Sequence, residues 1–259
     1  MNLSQVGCTL GFEVSEPAEI VLQIAAAVPE TETLTVGSAG REIEATELPG
    51  RQHLVHAPRG SLTVTYSATT RVGEQPPPVT PIERVIALRP SRYCPSDKIA
   101  GYAARQFGAY DPVTTVRHIT AWVHDNLTYE PGSSGPTTDA IDTLVDGRGV
   151  CRDYAHLVAT LCRALDIPAR VAAVYAPGLS PMDFHLVVET ELDGIWRVWD
   201  ATRLAPRPTL IRIATGRDAA DTALATTIAG QLTMPELFIT AVAPGDLPYD
   251  DHTGLLTLP

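Results

Sequence analysis

The feature that most constrains the fold is a change of periodicity part-way along the chain. The first eighty or so residues contain short runs rich in valine, isoleucine, leucine and threonine, separated by glycine and proline. This spacing is typical of a small antiparallel sandwich or barrel. The runs are residues 19–26, 33–36, 41–45 and 62–69. We therefore predict an N-terminal antiparallel β-domain over residues 1–80, with a boundary near the proline-rich segment 73–78.

The second part of the chain shows a helical period followed by strand-like runs. Apolar residues recur every three or four positions in segments 112–126 and 150–165, and Pro168 ends the second of these helices. Strands are predicted next, then a helix over residues 218–228 and a final strand over residues 235–242. The predicted strands are residues 169–176, 184–190 and 195–200. This order indicates an α+β domain over residues 88–242, in which a helix packs on an antiparallel sheet, and an extended C-terminal tail over residues 243–259.

Composition and charge exclude several classes of protein. Of the 259 residues, 44% are hydrophobic and 19% are charged, so a sizeable core is expected and wholesale disorder is excluded. The net charge of −11 and the lack of a basic cluster argue against nucleic-acid binding. No stretch approaches the roughly 20 apolar residues of a membrane span, which argues against a membrane partner. The first residues also lack the basic and apolar regions of a secretory signal.

The cysteines suggest a compartment. Cys8, Cys94, Cys151 and Cys162 show neither CxxC pairing nor zinc-ribbon spacing. In a chain of this size we interpret them as thiols in a reducing environment, and we expect a cytoplasmic protein. The histidines also lack metal-ligand spacing, since His118 and His124 are six residues apart and do not share one helix face. No metal site is predicted.

Cys151 lies where a helix is predicted to begin, two residues after Gly149, the last residue of the glycine-containing run 147–149. The free N–H groups and the positive end of the dipole at a helix start favour a thiolate over a thiol. The same N–H groups can donate to an oxyanion formed at an attacked carbonyl. Cysteine is also a small hydrophobic residue in many cores, so this position alone leaves a structural role open.

His185 and Asp200 lie on two predicted strands joined by a short connection, residues 191–194. If all four residues form the loop, Thr190 pairs with Ile195 and His185 lies directly opposite Asp200. If the loop is only residues 193–194, the two side chains are diagonal neighbours. Both registers place them on one face of the sheet, because side-chain direction alternates along a strand. A base oriented by an acid, near an activated cysteine, is the arrangement of a catalytic triad.

Four motifs in order carry a resemblance to a known family. They are GVCRDYAHL at 149–157, LCRALDIPAR at 161–170, DFH at 183–185 and WRVWDAT at 196–202. Together they resemble the core of the bacterial transglutaminase-like superfamily, over roughly residues 88–242. The resemblance implies a papain-like fold with Cys151 as nucleophile, His185 as general base and Asp200 as orienting acid. It implies no metal and no organic cofactor.

The chain departs from the family pattern at three places. Leu-Val rather than Ala-Trp follows His185, Ala201 rather than proline follows Asp200, and Asp166 stands where the family usually has glycine. None of these changes removes a reactive group. The first two alter the wall near the histidine, so they leave the substrate class open.

The chemistry that these residues imply is acyl transfer on peptide-type amide bonds of a peptide or protein substrate. The Cys151 thiolate attacks the carbonyl while His185 protonates the leaving group. Resolution by water would make a thiol hydrolase and resolution by an amine a transglutaminase; the sequence leaves both open. The oxyanion donors would be the Cys151 N–H and either Tyr129 or Trp122, although each aromatic residue also fits a core position.

The sequence is also compatible with a function other than catalysis. A binding or scaffold module that kept the fold without turnover is the alternative function. Near the cysteine, His156 is expected to be structural, Asp153 to accept hydrogen bonds at the helix start, and Asp183 to lie in a loop. The oligomeric state is not predicted.

Overall fold

The fold is given by a computed structural model that describes residues 3–71 and 77–259. Most of the proline-rich segment lies outside the described residues, and the domain limits stay predictions. Strands β1 to β6 are Leu3–Leu22, Pro29–Ser38, Arg41–Glu42, Ala45–Leu48, Gln52–Ala57 and Gly60–Arg71. Strands β7 to β13 are Thr128–Tyr129, Arg148–Gly149, Ala169–Tyr175, His185–Leu192, Ile195–Trp199, Ile211–Gly216 and Ala225–Val242. Helices α1 to α5 are Pro81–Ala87, Ala100–Phe107, Pro112–Asn126, Ala140–Asp146 and Cys151–Arg163.

The N-terminal strands form one curled antiparallel sheet around the long strand β1. The first half of β1 pairs with β6, its second half pairs with β5, and its other edge pairs with β13. Alternate side chains of β1, such as Val6, Leu10 and Phe12, are buried, as expected for a sheet with one face on a core. The antiparallel β-structure predicted for the N-terminal part of the chain is therefore confirmed.

The end of the predicted α+β domain differs from the prediction. The helix expected over residues 218–228 is wrong: a turn follows Asp218, and β13 begins at Ala225. The Asp218 carboxylate accepts a hydrogen bond from the Ala220 N–H at 3.0 Å, a local contact that competes with helix formation. The final strand exists but is longer than predicted, and it pairs with β1 in the first sheet.

The second sheet has four antiparallel strands in the order β11-β10-β9-β12, and α5 packs on it. The buried face of α5, including Leu157 and Leu161, shares one core with Val171, Val188 and Trp199 of the sheet. The predicted α+β architecture, with a helix on an antiparallel sheet, is confirmed. In the described parts of the chain, no helix combines the length and apolar character needed to cross a membrane.

The two sheets are joined by a common apolar core. Tyr175 of β9 and Ile211 and Ile213 of β12 are buried together with the apolar face of the first sheet. The Tyr175 hydroxyl donates to the carbonyl of Ile24 at 2.7 Å. The first sheet therefore supports strands of the second.

Asp166, which stands where the family usually has glycine, adopts a left-handed backbone conformation with φ of 59°. Its side chain is exposed, just after α5. A non-glycine residue there costs about 1–2 kcal/mol. We predict that Asp166→Gly raises the free energy of unfolding by about 1 kcal/mol, whereas Asp166→Ala lowers it or leaves it unchanged. Urea unfolding checks this. Both variants remove the same carboxylate, so equal effects would contradict a backbone origin.

Candidate active site

The β10–β11 hairpin brings His185 and Asp200 together. Leu192 pairs with Ile195, so the loop is only Asp193-Gly194, the second of the two registers considered. Both loop residues have positive φ, 55° and 77°, as a type I′ turn requires. In this register His185 and Asp200 are diagonal neighbours. His185 Nε2 lies 2.8 Å from Asp200 Oδ2.

This histidine–carboxylate pair is buried, with both side chains about 1% exposed. The second carboxylate oxygen of Asp200 accepts from the N–H and hydroxyl of Thr202, at 2.9 and 2.7 Å. Burial alone would lower the pKa of His185, but the charge and hydrogen bond of Asp200, and then Cys151, raise it above its usual range. Burial would raise the pKa of Asp200, yet His185 and Thr202 hold it below its ordinary value. The geometry therefore favours the charged pair.

Cys151 is the first residue of α5, and it lies close enough to His185 to help raise the pKa of that imidazole. Because Nε2 of His185 faces Asp200, the other ring nitrogen, Nδ1, is the one available to the sulfur. Cys151 is partly exposed, whereas the other three cysteines are buried. Burial raises the pKa of the Cys94 thiol to about 11 and that of Cys162 to about 12. The structure thus brings the three predicted residues into one cluster, in which Cys151 is partly exposed.

The start of α5 is fixed by Asp153, as expected. The Asp153 carboxylate accepts from the N–H of Val150 at 2.8 Å and from the Ser134 hydroxyl. Arg152 binds the other carboxylate oxygen at 3.2 Å and the Gly135 carbonyl at 2.9 Å. These contacts anchor the loop before the helix, so the position of Cys151 depends on a buried capping carboxylate.

The two candidate oxyanion donors lie in different surroundings. Tyr129 pairs with Gly149 across the parallel pair β7–β8, so it lies beside the start of α5, and it is 41% exposed. Burial, followed by the charge of Cys151, raises the pKa of Tyr129 to about 12. Trp122 instead packs edge-on against Tyr102 and Phe107 in the helical core.

Comparison with known proteins identifies the family. The family model described as the Transglutaminase-like superfamily matches residues 101–201, which include Cys151, His185 and Asp200. A solved structure from Cytophaga hutchinsonii, named "Putative Cysteine Protease", is 32% identical with a TM-score of 0.86, over 98% of this chain and 96% of that chain. The chain belongs to the transglutaminase-like superfamily.

Two further similarities are partial. An uncharacterized protein of Mycobacterium leprae is 31% identical over 134 residues, which are 47% of this chain and 48% of that protein. The match thus spans about half the length of this curated relative. The periplasmic domain of TgpA from Pseudomonas aeruginosa is 19% identical with a TM-score of 0.41, over 73% of this chain and 88% of that domain.

Other polar groups near this transglutaminase-like site have structural surroundings. His156 is fully buried, stacks on Tyr93 at 5.2 Å and accepts from the Ala219 N–H at 3.0 Å. Burial lowers the pKa of His156 to about 4, so it is neutral. Asp183 is exposed, and its carboxylate accepts from the adjacent Phe184 N–H at 2.7 Å. Within residues 3–71 and 77–259, no group of three His, Cys, Asp or Glu side chains is arranged to hold a metal.

Sequence reasoning missed two residues that contact Asp200 or its neighbour Ala201. Thr202 binds the Asp200 carboxylate, and in the observed register its position faces His185. That register was one of the two considered, so Thr202 was detectable. His124, on α3, contacts the Ala201 carbonyl through Nδ1 at 2.9 Å. No pattern in the sequence connects two residues 77 positions apart.

Gly149 generates a prediction, because a Cβ there would lie 2.6 Å from the Asp153 Cβ. We predict that Gly149→Ala lowers the free energy of unfolding by about 1–3 kcal/mol, as overpacking does, and slows labelling of Cys151. Urea unfolding with an unchanged m value measures the first effect. Gly135→Ala is the matched control, since a Cβ there meets nothing within 4 Å. Equal losses in the two variants would rule out the close contact as the cause.

Proposed function

We propose that this protein is a cysteine-dependent enzyme that transfers acyl groups from peptide-type amide bonds, with Cys151 as nucleophile, His185 as general acid and base, and Asp200 as orienting acid. Family membership and the similarity to the Cytophaga protein support cysteine-dependent activity in general. The observation that carries the finer proposal is the buried 2.8 Å contact between His185 and Asp200, beside a cysteine at a helix start.

The proposed reaction has two halves. The Cys151 thiolate attacks the substrate carbonyl to form a C–S bond, and the C–N bond breaks as His185 gives its Nδ1 proton to the leaving amine. The neutral imidazole then takes a proton from the incoming nucleophile, which attacks the acyl-enzyme and releases the thiolate. Asp200 remains ionised at Nε2 throughout, so it stabilises the imidazolium in each half.

The oxyanion of the tetrahedral intermediate is proposed to bind beside the start of α5. The Cys151 N–H and the Tyr129 hydroxyl are the proposed donors, because Tyr129 pairs with Gly149 beside that helix start. Both groups can donate to an oxygen that bears developing charge, and a preformed pair of donors is the arrangement that lowers the barrier of acyl transfer. Tyr129 is the proposed side-chain donor, because Trp122 packs in the core.

Alkylation of Cys151 by iodoacetamide tests the thiolate–imidazolium pair. We predict rapid labelling near pH 6, abolished in Cys151→Ser, because the other three cysteines are buried. In His185→Ala the rapid phase should disappear, and labelling should follow the ordinary thiol pKa of about 8.5. Mass spectrometry of the labelled peptide gives the rate at each pH.

The same measurement separates the enzyme from a non-catalytic binding module. A module that kept only the fold has no need of an activated sulfur. If wild-type Cys151 is labelled only near pH 8.5, and His185→Ala changes nothing, the proposed catalytic role is wrong.

Water is proposed as the acyl acceptor, because the similar Cytophaga protein is named for protease activity. With a glutamine-containing peptide and a labelled primary amine present, we predict hydrolysis at an amide bond and no amine in the product. Cys151→Ser provides the blank. Incorporation of the amine above that blank would instead assign a transglutaminase reaction.

The compartment and the partners are part of the proposal. We propose a cytoplasmic protein that acts on a peptide or protein substrate, since all four cysteines are free. Fractionation of the native cells tests the location. Recovery in an extracytoplasmic fraction would contradict it.

A further inference from the structure

Arg207 is a buried cation that the proposed reaction does not use. Only 1% of the residue is exposed. Its Nε and Nη2 donate to the two carboxylate oxygens of Asp250 at 2.9 and 2.8 Å. Its Nη1 donates to the carbonyls of Val198 and Gly254, at 3.1 Å each. A two-pronged arginine–carboxylate pair has a fixed geometry, so Arg207 ties the C-terminal segment, residues 243–259, to strand β11.

The C-terminal segment lies along β11 and is not a free tail. The Val198 N–H donates to the Leu256 carbonyl at 2.9 Å, and Leu258 is fully buried. The Arg207 guanidinium also lies 5.9 Å from the centre of the Trp199 ring. The backbone N–H and the backbone carbonyl of Val198 are thus both hydrogen-bonded to residues outside the β10–β11 hairpin. Val198 lies two residues before Asp200.

Asp200 needs such support because it lies just beyond the end of β11. The last ladder pair of the hairpin joins Val188 to Trp199, so Asp200 itself is outside the described pairing. Its carboxylate must nevertheless stay within hydrogen-bond distance of His185. A misplacement of about 1 Å in a catalytic group can reduce a rate a hundredfold.

We propose that Arg207 and Asp250 form a positioning pair for the acyl-transfer site, which fixes the end of β11 so that Asp200 reaches His185. This inference rests on the proposed function. Neither residue touches the reacting atoms. They act through Val198, which carries the constraint along the backbone to Asp200.

The test compares two neighbouring carboxylates. Asp250→Asn weakens the pair with Arg207, whereas Asp251→Asn removes an exposed carboxylate that contacts only its own turn, at Thr253 and Gly254. The readout is the rate of Cys151 alkylation by iodoacetamide against pH. We expect Cys151 of the Asp250→Asn variant to be labelled about tenfold more slowly near pH 6. This is the change expected if the fraction of Cys151 present as thiolate falls tenfold. Asp251→Asn should match the wild type.

Two further variants keep the result interpretable. His252 is the titratable side chain beside Asp250, with Nδ1 at 3.4 Å, and His252→Gln shows whether its own titration shapes the profile. If Asp250→Asn does not fold, Arg207→Lys replaces it. Lysine keeps a charge opposite Asp250 but cannot also hold the Val198 and Gly254 carbonyls in the fork geometry of arginine.

The outcomes separate this inference from the proposed function. Slower labelling in Asp250→Asn or Arg207→Lys, with Asp251→Asn and His252→Gln unchanged, supports the positioning pair. A lower melting temperature with an unchanged labelling profile overturns it and leaves a purely structural clamp. If the wild type itself shows no rapid labelling near pH 6, the proposed function fails first.

Discussion

The buried contact between His185 and Asp200 is the constraint on which the rest of the site depends. Removing two charges from water costs several kcal/mol for each ion unless their geometry is good and their remaining polar atoms are satisfied. Here the second carboxylate oxygen accepts two hydrogen bonds from Thr202, and Cys151 interacts with the imidazole. The pair is therefore stable only if α5, the β10–β11 hairpin and the turn after Asp200 keep their relative positions.

The N-terminal sheet contributes to that arrangement through packing. Phe184, directly before His185, contacts Tyr175 with ring centres 5.4 Å apart, and both belong to the core shared with the first sheet. The Tyr175 hydroxyl is itself bonded to the carbonyl of Ile24. Displacing the first sheet would expose Tyr175 of β9. Phe184, the residue before His185, packs against this side chain. The first sheet thus supports, through packing, the strand that begins at His185.

The sequence was sufficient where local rules decide the geometry. Period-two alternation placed His185 and Asp200 on one face in either hairpin register, and the glycine-rich run before Cys151 marked a helix start. It was insufficient where distant segments meet. Residues 218–228 have a helix-like composition, yet pairing of Ala225 and Thr226 with β1 favours a strand. The bond between Arg207 and Asp250 joins residues 43 positions apart, with no periodic signal.

The neighbouring buried acids show why the histidine partner matters. On β10, Glu189 is bound by Arg170 and Arg212, and Glu191 by Arg84, at 2.7 to 2.8 Å. Arginine does not release its proton in proteins, so it cannot exchange one with these glutamates, and the pairs hold the sheet together. Asp200 differs from both glutamates because its partner is an imidazole, a group that can gain and lose a proton where a guanidinium cannot. The same strand thus carries arginine–glutamate pairs that fix its position and, at its first residue, a histidine held by a carboxylate beside the partly exposed Cys151.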